Sequence, residues 1–158
     1  MAETRNWSAR LSELGITLPS VVPPVAAYVP AVRTGNYVYT SGQLPIVEGK
    51  LTIAGKLGAG VSDEDAKAAA RACVLNALAA VDALVGIDSV VRIVKVVGFV
   101  ASAEGFTGQP GVVNGASEFL GEVFGEAGAH ARSAVGVAEL PLGAPVEVEL
   151  IAEVQPES

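Results

Sequence analysis

The chain has one cysteine and one histidine among 158 residues. A single cysteine, Cys73, excludes an intramolecular disulfide. It sits in an apolar helical pattern, where a packed small side chain is its plain role. One cysteine and one histidine cannot assemble the usual zinc sites. No carboxylate cluster has metal-ligand spacing either, so no metal is expected. Charge is also scarce: Lys and Arg number 10, Asp and Glu 17, for a net −7. The absence of a basic run opposes nucleic-acid binding through phosphate contacts. No apolar run approaches the roughly 20 residues of a membrane span. Residues 1–7 are polar and unlike a signal peptide. The expectation is a cytoplasmic protein with neither a membrane nor a nucleic acid as partner.

What the chain has instead is apolar mass: 51% of its residues are hydrophobic. With so little charge, part of its surface is not suited to water, which points to an oligomer. The length fits one domain, residues 1–158, with residues 1–18 as a helical extension in front.

Residues 6–14 read as a short helix ended by Gly15, with Trp7, Leu11 and Leu14 on one face. Pro19, Pro23, Pro24 and Pro30 make residues 19–30 extended or looped. Strands follow over 27–33 and 36–41, joined by Thr34-Gly35-Asn36, and a second turn falls at Glu48-Gly49-Lys50. Ser62, followed by Asp63, Glu64 and Asp65, caps a helix over 63–85. Its small apolar face runs through Ala66, Cys73, Ala77 and Leu84, and Gly86 ends it. The β-branched run 90–100 predicts a strand in a central position. A loop over 101–111, a helix over 112–124 and a loop over 125–129 lead to strands 132–140 and 145–154. The order β-β-α-β-α-β-β predicts an α+β fold, a mixed sheet with two main helices packed on one face. In the last strand Val146, Val148, Leu150, Ala152 and Val154 share the face under the helices. Glu147, Glu149, Ile151 and Glu153 share the other, toward water or a partner subunit.

Arg132, opening an apolar small-residue strand, needs an anionic partner, since an unpaired buried charge costs several kcal/mol, to an order of magnitude. Glu147 or Glu149 across adjacent strands would serve; so would a substrate carboxylate, held by two parallel hydrogen bonds. Glu147 and Glu149 point the same way, as a solvated strand face or as an acid–base pair. Tyr28, beside the proline-rich stretch, is either half-buried packing or the wall of a pocket. Ser41-Gly42-Gln43 places backbone groups at a strand end, and Asn114 opens a helix. Ser133 has no base beside it, and with His130 alone a Ser-His-acid triad is disfavoured.

Taken in order, these segments resemble the Rid family (reactive intermediate deaminases, also called the YjgF family). The matching pieces are Tyr28-Val-Pro-Ala-Val-Arg-Thr-Gly-Asn-Tyr-Val-Tyr-Thr-Ser-Gly-Gln-Leu-Pro45, Val113-Asn114, Ala131-Arg132-Ser133, Leu140-Pro141 and Val146-Glu147-Val148-Glu149. The resemblance covers residues 20–154. It implies a chorismate-mutase-like fold assembled as a homotrimer, with sites in clefts between subunits. It also implies hydrolysis of 2-imino or enamine acids to 2-keto acids and ammonia, without metal or organic cofactor. By this match Arg132 and Glu147 are catalytic: Arg132 binds the substrate carboxylate, and Glu147 holds and polarises the attacking water. Tyr28 would line the pocket from a neighbouring subunit. Backbone groups at Gly42 and, beyond Arg132, at Ala134 would orient the imine, with Asn114 a further pocket residue.

Several positions depart from the family pattern. Ala134 stands where many members carry cysteine, which excludes a thiol role. The loop 101–111 is longer than usual, a residue is inserted near 125–129, His130 stands where proline is common, and the helix around Trp7 is extra. The chain resembles a divergent branch. A non-catalytic module binding a small carboxylate in the same cleft is an alternative. An endoribonuclease or translation inhibitor is another, disfavoured by the acidic balance and the absent basic patch.

Overall fold

The computed structural model describes residues 5–24 and 26–157, so residues 1–4 of the polar opening lie outside the described part. Helix α1 (Trp7–Glu13) is capped by the Asn6 side chain, which accepts from the Ala9 N–H. Strands β1 (Ala31–Thr34) and β2 (Tyr37–Thr40) form the expected hairpin. β1 begins later than expected, because Pro30 and the bends at residues 26–28 keep that segment out of the ladder. Two short ribbons follow, β3 (Ile46–Val47) with β4 (Lys50–Leu51), and β5 (Lys56–Leu57) with β6 (Gly60–Val61).

Helix α2 (Asp63–Val85) has the predicted start: the Ser62 hydroxyl accepts from the Asp65 N–H at 3.1 Å. It is long and apolar enough to cross a membrane by length and composition alone, which corrects the expectation that no run approaches that length. Its buried residues from Ala66 to Val81 instead pack in the core. Strand β7 (Val90–Ala101) follows, then α3 (Gln109–Phe124), β8 (Ala131–Val137) and β9 (Val146–Val154). α3 starts three residues before the predicted boundary, since Pro110 lies in its first turn, where a missing N–H costs nothing. Asn114 therefore sits inside the helix instead of opening it.

The main sheet has five strands in the order β1-β2-β9-β7-β8. β7 and β8 are parallel, joined through α3, and the other pairs are antiparallel. β9 thus holds the centre expected of β7, which is interior beside it. Residues 146, 148, 150, 152 and 154 are buried and 147, 149, 151 and 153 half-exposed, the alternation read from the sequence. α2 packs on β9, α3 on β7, and the two helices on each other, all on one face. Gly115 lets α3 approach α2: a Cβ there would strike the Lys67 carbonyl. Cys73 is fully buried, and burial pushes its thiol well above its ordinary value. The leading helix is tied to this unit by Trp7, whose indole N–H donates to the Val90 carbonyl at 2.8 Å. Its ring meets Phe124 edge-on at 5.0 Å.

Candidate active site

Arg132 lies on the edge strand β8, opposite Val96 of β7. β7 separates β8 from β9, so the guanidinium has no cross-strand glutamate; the expected pairing with Glu147 or Glu149 is corrected by the strand order. Val96 faces the helices and is fully buried. Arg132 follows that face and reaches α3. Its Nη1 donates to Asn114 Oδ1 at 2.7 Å and to Ser117 Oγ at 3.2 Å, and its Nη2 donates to the Pro110 carbonyl at 3.3 Å. All three acceptors are neutral. Among the described residues no carboxylate forms an ion pair with it. Ala134, two residues on, pairs with Gly98 and packs against the core.

Glu147 sits on the other face, opposite Phe99 of β7. It lines a cavity of about 350 Å³ together with Tyr28, Gly42, Gln43 and apolar side chains that include Pro23, Ile46 and Leu142. Burial first, and the Glu149 charge second, raise the Glu147 pKa above the usual carboxylate value. Gln43 exchanges backbone bonds with Val148 at 2.9 and 3.0 Å, which lays the segment along β9. That places Gly42 against Glu147, where a Cβ would overlap the carboxylate. Asn76, 2% exposed in the alanine-rich middle of α2, donates to the Leu44 and Ile46 carbonyls and anchors the same wall.

The six residues singled out by sequence thus fall into two groups. Tyr28 shares one cavity with Gly42 and Glu147 of its own chain. Arg132 and Asn114 are bonded to each other on the helix side of the sheet, with Ala134 further along the same strand. Sequence reasoning missed Asn76, whose single polar atom pair in an apolar helix was the available signal. It also missed Ser117 and its contact with His130, which exists only because α3 crosses the start of β8.

The family model described as "YjgF/chorismate mutase-like, putative endoribonuclease" matches residues 8–154. The chain belongs to the YjgF family. A relative in this family, Protein TCP17 of Trypanosoma cruzi, is 45% identical over 148 residues, 92% of each chain. A 2-iminobutanoate/2-iminopropanoate deaminase of Dermatophagoides farinae is 33% identical over 141 residues, covering 89% of this chain and 95% of that one. Among solved structures, protein Atu1372 of Agrobacterium tumefaciens, described as of unknown function, superposes with a TM-score of 0.87 at 44% identity. The match covers 94% of this chain and 92% of that one. The mixed sheet with helices on one face is accordingly the chorismate-mutase-like fold of the YjgF family.

Proposed function

We propose that this protein hydrolyses 2-imino or enamine acids to 2-keto acids and ammonia, in sites shared between copies of a cytoplasmic homotrimer. The observation that carries the reading is the Arg132 guanidinium, held by neutral acceptors and neutralised by no described carboxylate. Three of its five N–H donors are engaged, leaving two for the paired oxygens of a ligand carboxylate. Glu147 supports the same reading, as a carboxyl of raised pKa at the edge of a cavity. The deaminase named among the relatives adds to it.

In this mechanism Arg132 holds the substrate carboxylate and fixes the imine carbon. Water adds to the carbon of the protonated imine as Glu147 accepts its proton, giving a neutral carbinolamine. Glu147 returns that proton to nitrogen; as the C–N bond breaks, the carbinolamine hydroxyl gives its proton to Glu147, and ammonia and the 2-keto acid leave. An imine is already electrophilic, so positioning and one proton relay suffice. Arg132 and Glu147 face opposite sides of one chain's sheet, so the reading needs a second copy to bring an Arg132 to each Glu147 cavity. The open sheet face carries exposed Val32, Tyr37, Tyr39 and Val135, apolar surface suited to such an assembly.

The test couples an amino-acid oxidase or threonine dehydratase to the purified protein and follows loss of the imine. Acceleration is expected, with Arg132→Ala lowering it by about tenfold to a hundredfold, the worth of charge-assisted hydrogen bonds. No acceleration with imines from several amino acids, by a correctly assembled protein, would sink the reading. A second reading, RNA cleavage, draws on the wording of the family description. The net charge of −7 opposes it.

A further inference from the structure

On the helix side of the sheet, Arg132 is the first member of a chain of hydrogen bonds that ends at a backbone carbonyl. Ser117 Oγ lies 3.2 Å from Arg132 Nη1 and 2.8 Å from His130 Nε2. His130 Nδ1 lies 2.6 Å from the Gly128 carbonyl oxygen. The donor inventory orders the protons. A guanidinium only donates, so Ser117 Oγ accepts from Arg132. A carbonyl only accepts, so His130 Nδ1 carries the imidazole proton and donates it to Gly128. The remaining proton, on the Ser117 hydroxyl, then points at His130 Nε2, which accepts. In this order each donor of the chain has an acceptor, and the chain ends at the Gly128 carbonyl.

We propose that His130, acting through Ser117, is a positioning residue that holds the Arg132 fork aimed for a ligand carboxylate. The proposal rests on Arg132 being the carboxylate clamp. Ser117 and His130 line one open surface pocket with Arg132, walled by Gly121, Gly125 and Gly128, so the chain lies within reach of solvent.

Titration of the intact protein with 2-oxobutanoate, followed by calorimetry at neutral pH, tests this. His130→Ala and Ser117→Ala should each raise Kd roughly five- to tenfold at neutral pH, the worth of one neutral hydrogen bond. The double variant should be no worse than either, since both cut the same chain. His130→Gln, whose amide oxygen can accept from Ser117, should keep the neutral-pH Kd. An unchanged Kd in His130→Ala, or a Kd in His130→Gln as weak as in His130→Ala, would overturn the proposal. If the unaltered protein binds the keto acid no better than Arg132→Ala, the clamp reading itself falls.

Discussion

Arg132 and Glu147 point to opposite faces of the same sheet, from strands that β7 keeps apart. A site using both draws them from different copies. Arg132→Ala and Glu147→Gln should therefore each be strongly impaired alone and recover activity when co-assembled. In a closed ring of three, every mixed trimer has one intact site, so random mixing should restore about a quarter of wild-type activity. Refolding the two variants together and measuring imine hydrolysis checks this; no recovery in verified mixed trimers would exclude a shared site.

Glu147→Gln should raise stability at neutral pH while abolishing turnover. The folded-state pKa of Glu147 lies above the ordinary value, so folding favours its protonated form. That contribution is fully present below the unfolded pKa and is lost as pH rises through the folded one. Melting temperatures of the two proteins should therefore diverge as pH rises from acid to neutral, with the amide variant higher.

Gly42→Ala should leave the fold intact and damage the site. The added Cβ overlaps the Glu147 carboxylate, the far end of a flexible side chain, which would swing aside. A displacement of about 1 Å at a reacting group costs on the order of a hundredfold. kcat/KM should fall by about that factor while circular dichroism is unchanged.

Trp7→Ala should destabilise the protein by about 3 kcal/mol, the range for losing a packed aromatic. It removes the contact with Phe124 and the bond to the Val90 carbonyl. Denaturant unfolding at fixed protein concentration gives the value. Activity per folded molecule should be largely kept, because α1 meets α3 around Glu122 and Phe124, beyond the residues that hold Arg132.

Much of the fold was legible because it is written in local chemistry. Ser62 followed by three acids marks a helix start wherever it occurs, and the Val/Glu alternation of residues 146–149 orients a strand without any neighbour. The site was half legible. Tyr28, Gly42 and Glu147 do meet, since Gln43 pairs with Val148 and brings the strand end after the first hairpin along β9. The pairing of Arg132 with a glutamate was misread, because two strands adjacent in sequence are not adjacent in this sheet. The Ser117–His130 contact was invisible for the same reason: it depends on where α3 crosses β8.

The sequence by itself determined the main elements, the start and end of α2, the buried face of β9 and the residue types available for chemistry. These follow from periodicity and from side chains acting on their own backbone. Tertiary structure alone decided that β9 lies between β2 and β7, that Arg132 is held by Asn114 and Ser117, and that Glu147 faces away from it. Strand order is set by long-range pairing and helix packing, which no local pattern encodes.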